Sequence, residues 1–229
     1  MPSRAAPRGP AGHNRLDWSG DRLTNSPEAA VPVVRKLKRH ARVLLKGEER
    51  EFVLDKLPEG SAGVEVGVWK GDLSAMILRK VRPTTLMLVD PWMFDPRFSE
   101  SLFGGTATKS QADMDAICQK VRGRFSTEVA RGVVSIHRNT SVEAAAATAD
   151  ESVDWVYIDG NHAYEFVLED LRSWYPKVRP GGLVAGDDYD RPGAWWGDGV
   201  TKAVNEFVKA EPVVVEAIAN HQFVLRKAA

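Results

Sequence analysis

The stretch GVEVGVWKG (residues 63–71) sets how the rest of the chain is read. A short apolar run, Gly63 to Val68, has the length of a buried strand and ends among glycines. Asp72 to Val81 follows with Leu73, Met76 and Ile77 at helical spacing, so the glycines join a strand to a helix. Glycine there lets the backbone turn sharply and lets a ligand approach the helix start. The same alternation continues outward. Strands are predicted at Thr84–Val89, Val133–Ile136, Val153–Ile158 and Leu183–Ala185, with helices over Met114–Phe125, Val142–Thr148, Tyr164–Tyr175 and Val200–Val208. Alternating strands and helices imply an α/β fold, a doubly wound and mostly parallel sheet covered on both faces. Strands at Val213–Ala217 and Phe223–Leu225 leave little room for a crossover helix, so the C-terminal edge is expected to be antiparallel.

Upstream, residues 1–25 are rich in Pro, Gly and Arg and are expected to be flexible. Residues 26–58 read as N-terminal helices, opening at Ser26-Pro27-Glu28 and including a short helix over Glu48–Leu57. The main domain is expected over residues 59–229. Lys+Arg and Asp+Glu both total 31, a balance that argues against a surface built to neutralise nucleic acid. No apolar run approaches the roughly 20 residues needed to span a bilayer, and the first residues lack the apolar core of a secretory signal. Cys118 is the sole cysteine. It sits in an apolar helical pattern as a packing residue, and a lone thiol fits a reducing, cytoplasmic setting.

The chemistry gathers at the ends of the predicted strands. Asp90 ends the second, where a carboxylate can accept both hydroxyls of a ribose. Glu65 precedes the glycine turn, where it would repel a pyrophosphate but can serve an ammonium. Gly63, Gly67 and Gly71 lie four apart, which is not the G-x-G-x-x-G spacing of a dinucleotide site. A nucleoside with an amino-acid ammonium and no phosphate, S-adenosylmethionine, suits both acids. The alternative is an ordinary strand–helix join in which Glu65 pairs with a lysine.

Farther on, SVDWVYIDGNHAYEFVLEDL (152–171) and RPGGLVAGDDYD (179–190) place Asp159 after one strand and Asp187 and Asp188 after the next. Neighbouring parallel strands end side by side, so three carboxylates converge. Like charges oppose joint ionisation unless a hard divalent cation, probed best as Mg²⁺, Ca²⁺ or Mn²⁺, lies between them. Helix or turn capping by Asp159 and Asp188 is the alternative. His162, on the same loop as Asp159, can take a proton near neutral pH. Trp92, Phe94, Trp195 and Trp196 fall in loops at this edge, suited either to stacking on a sugar ring or to an oligomer interface. Residues 91–108 are long and irregular enough for a lid.

These segments resemble class I S-adenosylmethionine-dependent methyltransferases: EVGVWKG matches their E-x-G-x-x-x-G motif, LVDPW their second motif, and Ser141-Val142-Glu143 their adenine-edge segment. Asp159-Gly160 with Asp187-Asp188-Tyr189 is similar to a narrower group, the metal-dependent small-molecule O-methyltransferases that act on sugars and macrolides. The resemblance covers about residues 60–227. It implies cofactor contacts at Glu65, Gly67, Gly71, Asp90, Ser141 and Asp159, a divalent cation (Mg²⁺ foremost) at Asp159, Asp187 and Asp188, a small hydroxyl acceptor such as a sugar, and a homodimer or larger homo-oligomer. In some members a second acid, two positions after the first, is the proposed general base; this chain has Asn161 there, which passes that role to His162. The rivals are a catechol-type methyltransferase, a hydroxylase-like relative, a non-catalytic S-adenosylmethionine-binding protein and, given the glycine spacing least of all, a nicotinamide dehydrogenase.

Overall fold

The apolar runs become seven strands of one sheet: β1 (Ala62–Val66), β2 (Thr85–Val89), β3 (Val134–His137), β4 (Val153–Ile158), β5 (Val178–Gly186), β6 (Val213–Ala219) and β7 (Gln222–Lys227). They were traced in a computed structural model that describes residues 49–191 and 195–229. The expected flexible segment 1–25 and the helical run 26–48 lie outside the described residues. The spatial order is β3-β2-β1-β4-β5-β7-β6. β1 to β5 pair in parallel, while β7 runs antiparallel between β5 and β6. The doubly wound sheet with an antiparallel C-terminal edge is therefore present as expected.

Residues 49–54 form the described part of α1. They are followed by α2 (Asp72–Lys80), α3 (Gln111–Arg124), α4 (Ser126–Ala130), α5 (Ser141–Ala146), α6 (Tyr164–Trp174) and α7 (Gly199–Ala210). Side chains alternate across the sheet and divide the core into two layers. Trp155 and Tyr157 of β4 pack on the side of α1, α2 and α3, with Cys118 buried among them. Val156 and Ile158 face α5, α6 and α7. Both faces are thus apolar, which is why these strands lack a polar alternation. No helix among the described residues is long and apolar enough to cross a membrane.

Register fixes where the chemistry falls. Val66 pairs with Val89 of β2 and Ile158 of β4, and Ile158 pairs with Gly186 of β5. The residues that follow, Asp90, Gly67, Asp159 and Asp187, therefore form the next row along the carboxyl edge. The strand order reverses between β1 and β4, and that switch point is where open α/β sheets bind ligands.

Candidate active site

At β1 the Glu65 side chain is fully buried. The Ser74 hydroxyl lies beside its carboxylate, and no lysine among the described residues pairs with it. Burial pushes its pKa up to about 8, because a charged carboxylate loses its hydration there. Gly67 has φ +90°, and a Cβ at this position would lie 2.0 Å from the backbone oxygen of Asp159. Gly71 has φ +75°, and its Cβ would strike the Phe125 ring at 2.6 Å. Both glycines are thus demanded by the chain's own packing.

Asp90 is buried, and its carboxylate accepts the backbone N–H groups of Trp69 (2.8 Å) and Trp92 (2.7 Å). Burial lifts its pKa to about 6 against the pull of these donors. It therefore ties the glycine turn to the loop after β2 besides facing the ligand edge. The Trp92 ring is fully buried and donates Nε1–H to the Trp69 carbonyl at 2.9 Å. This corrects the expectation that Trp92 offers a face to a sugar: a ring so large is worth more inside the core. Ser141 begins α5, where its hydroxyl accepts Trp174 Nε1–H at 2.9 Å and bonds to Asp170, whose pKa burial raises to about 7. Thr140 and Glu143 close a capping box around the same turn.

The three predicted acids do converge, and two arginines that sequence reasoning missed join them. Asp187 Oδ2 accepts from Arg50 Nε (3.1 Å) and Nη2 (2.9 Å). The same Nη2 reaches Asp159 Oδ2. Asp187 Oδ1 accepts the Asp188 backbone N–H at 2.8 Å and the Gln222 amide, while Tyr157 donates to Gln222 Oε1 at 2.5 Å. Arg191 pairs with Asp188 and with Glu49 Oε2, the latter at 2.7 Å. Gln222 follows from register, since β7 pairs Phe223 with Gly186 and so sets Gln222 opposite Asp187. Arg50 had no such signal, because its helix is far from β4 in the chain.

His162 Nε2 lies 3.2 Å from Asp159 Oδ1 and 3.5 Å from Asp188 Oδ2. Burial disfavours its charged form, but the hydrogen bond to Asp159 and the charges of Asp159, Asp188 and Asp187 outweigh it, so its pKa is raised. Asp159, His162 and Asp188 offer ligand atoms all within 4.8 Å of one another. Two carboxylates and an imidazole suit a divalent cation such as Mg²⁺ or Mn²⁺. Asp188 adopts φ +61°, a left-handed geometry that Asp tolerates better than most residues. Trp196 lies against the far side of His162, with ring centroids 4.5 Å apart, and Trp195 packs near Phe98 at 5.4 Å.

The glycine turn with Asp90, the buried Glu65 and the acidic pocket thus lie side by side along the carboxyl edge of β1, β2, β4 and β5. The profile of the methyltransferase-domain family matches residues 64–189, and the chain belongs to that family. Among solved structures, an rRNA methylase from Streptococcus thermophilus is 14% identical, with a TM-score of 0.50, over 79% of this chain and 94% of that one. A SAM-dependent O-methyltransferase from Thermotoga maritima is 10% identical, with a TM-score of 0.52, over 80% of this chain and 65% of that one. Both likenesses concern the fold. A protein of Acanthamoeba polyphaga mimivirus whose name assigns no activity is 36% identical over 61 residues, which span 27% of this chain and 27% of that protein.

Proposed function

We propose that the protein methylates a hydroxyl of a small polyhydroxylated acceptor, a sugar or sugar-bearing metabolite, with the help of a divalent cation. The observation that carries this reading is the meeting of Asp159, His162 and Asp188 one strand from Glu65. S-adenosylmethionine, when bound, supplies a methyl group already activated on a sulfonium. Glu65 fits the cofactor's ammonium, since no cation among the described residues is bonded to its buried carboxylate. Asp90 serves the ribose, and Gly67, Gly71 and Ser141 shape the walls.

Asp159 and Asp188 would hold the cation, with Asp187 orienting Arg50 and Gln222 behind them. The cation would supply Lewis acidity that lowers the pKa of an acceptor hydroxyl. His162 Nε2 would take the proton from that hydroxyl oxygen as the new C–O bond forms. Holding the acceptor in line with the methyl group is worth ~7–11 kcal/mol of barrier in well-oriented reactions. A second reading has the same geometry behind it: His162 Nε2 is close enough to both carboxylates to be the third ligand. Vicinal hydroxyls such as a sugar carries suit bidentate binding to such a cation, and the zero net charge disfavours a nucleic-acid acceptor. We place the protein in the cytoplasm as a homo-oligomer.

Methyl transfer from labelled S-adenosylmethionine onto panels of sugars, glycosides and catechols tests the proposal. Activity should appear with a glycoside, vanish in excess chelator and return with Mg²⁺ or Mn²⁺. Undiminished turnover in chelator would remove the cation, and turnover of catechols alone would move the acceptor class.

A further inference from the structure

The acidic cluster already contains a cation of its own, supplied by a helix distant in sequence. Arg50 on α1 lays one guanidinium across two carboxylates, bonding Asp187 through Nε and Nη2 and Asp159 through Nη2. Its side chain is only 14% exposed. A guanidinium is a planar fork whose donors fit paired carboxylates, and it cannot give up its charge. Glu49, its neighbour on α1, accepts Arg191, and Arg191 also pairs with Asp188. The N-terminal helix is thus fastened to the site through two consecutive residues.

We propose that Arg50 is a resident counter-cation of Asp159 and Asp187, and that Arg50 and a divalent cation exclude one another at Asp159. This rests on the cation reading above and adds to it how the site is kept together before loading. Buried carboxylates without a counter-charge are costly, so the metal-free protein needs Arg50. A divalent ion held by Asp159 must share that carboxylate with a guanidinium already lying on it. Two cations at contact distance in a half-buried site repel strongly. Loading therefore turns Arg50 away from Asp159 and weakens one of the ties that fasten α1 to the site, while Glu49 keeps its tie through Arg191. Arg50 is a positioning residue in this scheme and touches no reacting atom.

Calorimetric titration of Mn²⁺ into the metal-free full chain tests it, beside melting curves taken in chelator and in Mn²⁺. Arg50→Gln should bind Mn²⁺ at least tenfold more tightly than wild type. Its melting temperature should fall in chelator and recover in Mn²⁺, whereas that of wild type should change little. Arg50→Lys keeps a charge but cannot bridge two carboxylates. It should bind Mn²⁺ with intermediate affinity, and it carries the test alone if the glutamine variant fails to fold. Equal affinity in wild type and in either variant overturns the exclusion while leaving the cation reading intact. No Mn²⁺ binding by any of the three proteins, with methyl transfer unaffected by chelator, overturns the cation reading itself, and the exclusion with it.

Discussion

A carboxylic acid buried at the end of β1, with the Ser74 hydroxyl beside it but no cation bonded to it among the described residues, should make cofactor binding a proton-linked event. With a pKa of about 8, Glu65 holds its proton at pH 7 in the unliganded protein. An arriving ammonium favours the carboxylate, so binding should release a proton. Calorimetry in two buffers of different ionisation enthalpy should give different heats for wild type and equal heats for Glu65→Gln. Equal heats for wild type would detach Glu65 from the ammonium. The same residue sets a stability trend. Its folded pKa lies above the ordinary value, so the folded state binds more protons and stability falls as pH rises through that window. The loss should begin above about pH 4.5 and end once pH passes about 8, and Glu65→Gln should flatten it. His162→Ala separates its two readings. A ~10²–10⁴-fold drop in kcat with Mn²⁺ affinity kept marks the proton acceptor, and lost affinity marks the ligand. Glu65, Asp159 and Asp188 were legible in the sequence because strand ends announce them. Arg50 was not, since nothing local ties α1 to β4 and β5.

At the level of elements, the turn after β1 and the loop after β2 are one unit, held by Asp90 and Trp92. Asp90→Ala would strand two buried backbone N–H groups, and each costs about 1–3 kcal/mol without an acceptor. Urea denaturation of the unliganded protein should show this loss, with Asp90→Asn losing less because its carbonyl oxygen still accepts. A fully stable Asp90→Ala would reduce Asp90 to a ligand contact. The sequence placed every strand and most helices, because periodicity and glycine punctuation survive burial. It missed where β5 begins, at Val178, since Pro180-Gly181-Gly182 reads as a loop although the strand runs through it. It also set Trp92 at the surface, because a tryptophan beside a proline in a loop carries no sign of which way its ring turns.

For the whole molecule, β6 is the free edge of the sheet and carries an apolar surface. Val214 is 63% exposed and Ile218 46%, on a strand whose backbone has one neighbour, β7, among the described residues. Exposed apolar edges favour pairing with another strand. Sedimentation velocity should therefore show a dimer whose formation rises with concentration, and Val214→Lys should sediment as a monomer. Wild type sedimenting as a monomer at every concentration would take β6 out of the assembly.

The place of β7 gives the fold a direction in time. A ribosome makes β6 before β7, yet among the described residues β6 meets the sheet only through β7. While residues 222–227 are still to be made, the nascent β5 has an open flank, β6 has nothing to join, and Asp187 lacks the Gln222 amide that will face it. Domains generally fold as units during synthesis, and here the acidic pocket and the sheet wait for the same six residues. A chain without residues 222–227 thus lacks, at one stroke, the strand that carries β6 to the sheet and the amide that faces Asp187.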